Sequence, residues 1–423
     1  MIDWIITRAA RSVLTGAIRF DGVGIPAIPR GDRSMPRLLY IHIPFCERLC
    51  PYCSFHRIEL DVALCRQYFR ALRQEIPLYR KKGYDFNGMY VGGGTPTVMV
   101  DELAETLTLA RETFSIGEVS VETNPDHLTD DRLDVLKQAG VNRLSVGIQS
   151  FDDSLLKSMQ RYDKYGSGEE IAFRLREVLG RFDTLNADMI FNFPSQTEKM
   201  LEIDLAILVD MAIDQVTWYP LMVSDATRKQ VCKTFGRVNY KKEKLFYEKI
   251  VTSLIPPYNF SSAWCFSRRK AMIDEYIVDY EEYAGLGSGA IGYLGGTCYA
   301  NTFLIPEYID RLHRGDLPLM ASKAFSIHEQ MRYDFLMKLF GTVLDPMALS
   351  RKYGRSIYPY LWFELLAFLL AGRLHRSGGL YRLTPQGNYA WVVMMREFFI
   401  AVNNFRDYCR QGAGVPLEGG HDE

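Results

Sequence analysis

Three cysteines crowd into eight positions of the stretch "YIHIPFCERLCPYCSFHRIEL", residues 40–60: Cys46, Cys50 and Cys53. A CxxxCxxC spacing in a loop can bring three soft sulfur ligands onto one small centre. Several centres compete for them. A structural zinc wants four ligands, usually two separated pairs, and His56 is the nearby fourth candidate. A redox dithiol uses two cysteines and leaves the third unexplained. Chance burial of three thiols is the bland alternative. An iron–sulfur cluster held by three thiolates uses all three and leaves one iron open to a chelating substrate or cofactor. His56 offers a proton relay or a haem ligand, although such a residue more often hydrogen-bonds its own loop. Other polar residues follow at regular distances: the turn "GGGTPT" (Gly92–Thr97), then Glu122, Gln149, Arg161 and Asp188. Each alone reads as an ordinary polar residue at a strand end.

The elements that must position these groups alternate. "LLYIHI", "GMYVGGG", "VSVETN", "RLSVGIQ", "LNADMIFNFP" and "QVTWYP" read as six short apolar strands, with helices expected over 61–80, 101–114, 130–139, 166–180 and 197–213. Successive strand–helix units predict a parallel sheet with helices outside. In such folds the site lies at the C-terminal strand ends, where the polar residues gather. The expected organisation is an amphipathic extension (1–37), the strand–helix body (38–225), a completing segment with the glycine cluster "GLGSGAIGYLGG" (226–324), and a helical part (325–423). In that last part "LYRLTPQGNYA" suggests a β-wing.

Charge and cysteine usage bound the function. Fifty Lys and Arg against 51 Asp and Glu give a net charge of −1, so no general pull toward nucleic acid is expected. Cys65, Cys232, Cys265, Cys298 and Cys409 are scattered without a paired framework, which suits a reducing, cytoplasmic setting. Arginines interrupt the apolar N-terminus, so no secretory leader is expected. Residues 1–20 predict a helix packed on its own body or lying on a membrane surface as a peripheral contact. The apolar run 360–372 is too short to span a bilayer and carries Glu364.

CxxxCxxC after the first strand, with Tyr52 just before its last cysteine, resembles the radical S-adenosylmethionine (SAM) superfamily. The resemblance implies a partial (βα)6 TIM-like barrel and a 4Fe–4S cluster on Cys46, Cys50 and Cys53. It also implies SAM chelating the open iron, and one-electron cleavage to a 5′-deoxyadenosyl radical. "GGGTPT" matches the loop that meets the SAM amine. The later motifs resemble the oxygen-independent coproporphyrinogen III oxidase-like branch. That likeness carries SAM contacts onto Tyr40, Tyr52, Gly93, Gly94, Thr95, Glu122, Gln149, Arg161 and Asp188, with Met222 and Ile291 as further contacts.

Within that branch the chain departs from two patterns. The oxidase has a further cysteine two positions after the third ligand, where Phe55 stands here, and a tyrosine-rich arm that residues 1–39 do not show. The haem chaperone has a His-Asn-x-x-Tyr-Trp element before its glycine cluster, whereas "DEYIVDYEEYAGLGSGA" holds neither His nor Trp. The expectation is therefore a class C methyltransferase that uses two SAM molecules to methylate an sp2 ring carbon, with menaquinone as substrate. Tetrapyrrole processing and non-catalytic haem binding are the alternatives. Gly94, Thr95, Gln149, Arg161 and Asp188 would also serve the second SAM. Arg161 would take a carboxylate, and Asp188 an amine or ribose hydroxyls. Trp218, Tyr219, Trp264, Phe266 and Tyr293 would line a pocket for a planar quinone or tetrapyrrole, and Cys265 would either join it or act as a small apolar residue. A low-potential donor such as flavodoxin or ferredoxin would supply the electron. No catalytic base is assigned.

Overall fold

A computed structural model describes residues 26–32, 35–269 and 280–412. The amphipathic stretch expected over residues 1–20 lies outside them. All six apolar runs form strands: β1 (Leu38–Ile43), β2 (Gly88–Gly93), β3 (Glu118–Thr123), β4 (Arg143–Gln149), β5 (Thr184–Phe191) and β6 (Gln215–Pro220). Each pairs in parallel with the next. β1 is buried along its whole length, as a parallel strand covered on both faces must be. The connecting helices are α1 (Val62–Lys81), α2 (Val100–Thr113), α3 (Asp130–Gln138), α4 (Gly168–Val178) and α5 (Glu198–Met211). Local signals set their starts: the Asp61 carboxylate accepts the Leu64 N–H at 3.0 Å, and Ser167 with Glu170 forms a capping box.

The glycine-rich stretch supplies a strand that apolar periodicity does not announce. After α6 (Tyr240–Leu254) come β7 (Asn259–Phe260), β8 (Cys265–Ser267), β9 (Tyr283–Leu286), β10 (Ile291–Leu294), β11 (Thr297–Asn301) and β12 (Leu319–Ala324). The sheet runs β12-β11-β10-β9-β1-β2-β3-β4-β5-β6-β8-β7. β9 lies parallel to β1, Leu38 opposite Tyr283 and Ile41 opposite Leu286, so seven strands run in parallel where six were expected. The remaining additions are antiparallel and make the sheet mixed. Close approach explains the glycines: a Cβ on Gly287, at φ +98°, would sit 2.4 Å from the His42 carbonyl oxygen.

Glu75, fully buried on α1, latches this flank. It accepts the Gly287 N–H at 2.9 Å, the Asn301 amide at 3.0 Å and the Tyr308 hydroxyl at 2.6 Å. Burial pushes its carboxyl up to about 7 despite those donors.

The C-terminal part holds three helices, Ile327–Phe340, Pro346–Lys352 and Tyr358–Leu370, and a three-stranded wing of Val343–Leu344, Leu380–Leu383 and Leu374–Ser377. Its last helix, α7 (Pro385–Gly412), returns to the sheet. Arg396 pairs there with Glu243 of α6 and with Glu397, all three side chains being almost wholly buried. The Tyr389 hydroxyl also donates to Glu243, at 3.1 Å. Breaking such a buried pair from one side costs about 3–5 kcal/mol. Among the described residues, no helix is long and apolar enough to cross a membrane.

Glu75→Ala leaves the buried Gly287 N–H and Tyr308 hydroxyl without their acceptor, while Asn301 keeps two carbonyls, and should cost about 3 kcal/mol, read as a lowered melting temperature. The folded carboxyl, near 7, lies above an unfolded value of about 4.3. The protonated acid therefore favours the fold, and that contribution fades as pH rises from about 4.5 to 7. Glu75→Gln should flatten this pH dependence in melting curves; an unchanged slope would show that Glu75 does not carry it.

Candidate functional site

A cavity of ≈ 260 Å³ opens at the C-terminal ends of β1 to β6. Cys46, Cys50 and Cys53 stand together on its wall. Their loop is closed at its base by a short parallel ladder, Phe45–Cys46 against Ile58–Glu59. Within it, the Cys53 N–H donates to the Cys50 carbonyl at 3.2 Å, and Arg57 donates to the carbonyls of Cys50 (2.6 Å) and Cys53 (3.1 Å). Two donors reach the sulfurs: the Thr95 hydroxyl lies 3.7 Å from Cys46 Sγ, and Arg161 Nη1 lies 3.6 Å from Cys50 Sγ. Burial, then the neighbouring Cys53, pushes the Cys46 thiol up to about 12, so a thiolate there calls for a bound cation. Three sulfurs facing one cavity, with hydroxyl and guanidinium donors upon two of them, fit an iron–sulfur cluster.

His56 does not join them. Its ring is buried beside Phe303, with Nε2 3.4 Å from the Ser288 hydroxyl, and it is absent from the cavity wall. The expected zinc alternative thus loses its fourth ligand, and His56 ties its loop to the glycine-rich flank. His42 Nε2 donates to the His56 carbonyl at 2.8 Å, which leaves Nδ1 to accept from the Tyr40 hydroxyl at 2.9 Å. Burial, reinforced by Arg406, lowers His42 to about 3 and keeps that ring neutral.

The remaining strand ends supply the other expected residues. Gly93 sits at φ +119°, where a Cβ would lie 2.8 Å from the His42 ring. A Cβ on Gly94 would press on the Phe45 carbonyl at 2.6 Å, so the glycine turn packs directly on the cysteine loop. Glu122 accepts from the Tyr90 hydroxyl (2.8 Å) and the Gly93 N–H (3.2 Å). Burial and then Asp188 push Glu122 up to about 7; burial likewise raises Asp188 to about 6, against hydrogen bonds from Ser145 and Asn186. Gln149 holds a left-handed φ of 75° at a register shift after Gly147. Arg161 is clamped by the Gly147 carbonyl (2.5 Å) and Asn124 (3.2 Å), over the Tyr165 ring at 4.1 Å. Tyr52 packs edge-on against Phe193, and Met222 follows Tyr219, Pro220 and Leu221 along the wall.

Two expectations need correction. Ile291 begins β10, beyond β9 on the flank of the sheet, and packs against Ala300, Phe303, Phe405 and Cys409; it is not in the cavity wall. Of the five aromatics expected there, Tyr219 lines the cavity. Trp218, Trp264, Phe266 and Tyr293 are buried in the core instead; on β6, Trp218 points to the face opposite Tyr219 because alternate strand residues do. Cys265, fully buried, is a core residue too. Sequence reasoning missed Arg57, Tyr90, Asn124 and Tyr165, and also Phe399, Asn403 and Arg406, which α7 brings to the wall. The last three share one helix face by their spacing, but nothing local says what that face meets.

Residues 40–206 match the family model for the radical SAM superfamily. The chain is 31% identical to the heme chaperone HemW of Bacillus subtilis over 82% of this chain and 95% of that protein. It is 27% identical to the anaerobilin synthase of Escherichia coli O157:H7, over 67% of each chain. Its fold resembles the solved coproporphyrinogen III oxidase of Escherichia coli, with a TM-score of 0.71 at 22% identity over 92% of this chain and 93% of that one.

Arg161→Gln removes the cation beside the Cys50 sulfur. The reduction potential of the reconstituted centre should fall by an amount on the order of tens of millivolts, because donors to cluster sulfurs stabilise the reduced state. A redox titration followed by electron paramagnetic resonance measures this, and an unchanged potential would deny Arg161 that influence.

Proposed function

The chain belongs to the coproporphyrinogen oxidase-like branch of the radical SAM superfamily, and on that premise we propose that it is an enzyme that turns SAM radical chemistry on a tetrapyrrole. One observation carries this reading. The thiols, the glycine turn and two raised carboxyls line a cavity together with Tyr219 to Met222 and Phe399, a mostly apolar and partly aromatic set. That set suits a flat ring system.

In this reading Cys46, Cys50 and Cys53 hold a 4Fe–4S cluster, and the backbone of Gly93, Gly94 and Thr95 approaches SAM closely. When bound, the pair supplies one-electron cleavage of a sulfonium and a radical that removes a hydrogen atom. Arg161 faces the SAM carboxylate with a charge-assisted donor. Glu122 and Asp188 accept its amine or ribose hydroxyls. Burial raises the two carboxyls to about 7 and about 6, so Glu122 is partly protonated at neutral pH and loses that proton when a cationic ligand arrives. A low-potential carrier such as flavodoxin or ferredoxin delivers the electron.

The expected methylation of a naphthoquinone with a second SAM gives way here. The names of the three compared proteins speak of heme, anaerobilin and coproporphyrinogen, and none of quinone methylation. A second reading, haem carriage without turnover, is favoured by the likeness to the Bacillus heme chaperone along nearly its whole length.

Anaerobically reconstituted protein, given reductant, SAM and either coproporphyrinogen or haem, should form 5′-deoxyadenosine with an altered tetrapyrrole over several turnovers. Cys50→Ala should abolish both. Stoichiometric haem binding without deoxyadenosine would favour the carrier. In a parallel reaction with menaquinone in place of the tetrapyrrole, S-adenosylhomocysteine with a methylated quinone would restore the methyltransferase.

A further inference from the structure

We propose that Arg406 forms a carboxylate-binding subsite at the α7 side of the cavity, where it anchors an acid side chain of the flat substrate. This deepens the tetrapyrrole reading and rests on it. Arg406 lines the cavity yet is only 8% exposed. Its Nη1 donates to the Asn403 side-chain Oδ1 at 2.8 Å, while its Nε is buried without a partner among the described residues. Among the described residues no carboxylate forms an ion pair with it. A shielded guanidinium offering unused donors into a cavity is costly to keep unless an anion completes it.

The fork is also held in place. Its carbon lies 5.3 Å over the Phe55 ring, and the Asn403 amide donates to the Ser54 hydroxyl at 2.7 Å. Pre-set donors of this kind suit a planar carboxylate. Phe55 occupies the position where the oxidase pattern has its extra cysteine, so a ring that seats an arginine replaces a thiol there.

Position favours the substrate over SAM as the source of the carboxylate. Arg161 already faces the cysteine sulfurs, with Asn124 and Gly147 fixing it. Arg406 instead shares a helix face with Phe399, which lies about 10 Å away along α7. Phe399 packs on Trp264, and Trp264 on Tyr219, so the apolar wall runs continuously onto α7. A flat molecule resting on that wall would present its edge to Arg406.

The test is an anaerobic spectroscopic titration of cluster-reconstituted protein with iron protoporphyrin IX, with its dimethyl ester, and separately with SAM. Wild-type protein should bind the acid about ten- to a hundredfold more tightly than the ester. Arg406→Gln should bring the acid down to the ester's affinity and leave SAM affinity unchanged. Arg406→Lys should recover part of the preference. Asn403→Ala, which frees the fork, should weaken acid binding alone and serves if Arg406→Gln fails to fold. Equal wild-type affinity for acid and ester, or an acid preference that persists in Arg406→Gln, overturns the subsite while leaving the tetrapyrrole reading standing. Loss of SAM affinity in Arg406→Gln overturns it in favour of the SAM carboxylate. Failure of wild-type protein to bind either porphyrin removes both.

Discussion

Three sulfurs held side by side in a shielded loop repel one another once ionised, and the fold must answer that repulsion with positive charge and hydrogen-bond donors. Arg57 takes the carbonyls of the cysteine loop, Arg161 reaches Cys50, and Thr95 reaches Cys46. These donors come from three separate segments, so the loop can be held open only where those segments meet. The glycine turn after β2 meets the same need by another route. With no side chains at Gly93 and Gly94, its backbone lies directly against His42 and Phe45. Side chains there would push the second strand away from the loop that the first one carries.

The floor beneath the cavity is polar and closed on itself. Arg143 donates to Gln215 at 2.8 Å and to Ser120 at 2.9 Å, and Gln215 donates onward to Ser267. Asn186 joins Ser145, Asp188 and Thr217 in the same layer. Networks of this kind are stable in a low dielectric only when their members are satisfied. The Arg143 charge also acts on Glu122 and Asp188, opposing the burial that raises both carboxyls. The chemistry of the cavity therefore depends on residues that never line it.

Part of the cavity wall comes from α7, far along the chain from the cysteine loop. The buried Arg396 pair locks α7 against α6, and about three further turns of the same helix deliver Phe399, Asn403 and Arg406 to the cavity. Substrate choice can then change through one helix while the cofactor residues of the strands stay where they are. Of the departures seen in sequence, Phe55 for a cysteine and the missing His and Trp before the glycine cluster, the first lies against Arg406 of this helix. They led toward a quinone methyltransferase, because each argued against one alternative without identifying a substrate.

Local chemistry determined much of this protein directly from its sequence. A short-range thiol spacing can mark a metal centre without reference to any distant residue. Short continuous apolar runs and period-3.6 patterns specify strands and helices, so six of the seven parallel strands were legible, while the family resemblance pointed to Glu122, Gln149, Arg161 and Asp188. Three-dimensional packing alone decided the rest. Gly287, just past β9, is a glycine because a Cβ there would strike the His42 carbonyl of β1, a reason that exists only once the two are neighbours. Whether Trp218 or Tyr219 faces the cavity depends on which side of the sheet is enclosed. Arg406 and Cys50 are 356 positions apart. No local rule joins them, because their proximity is the sum of every helix and strand packed between.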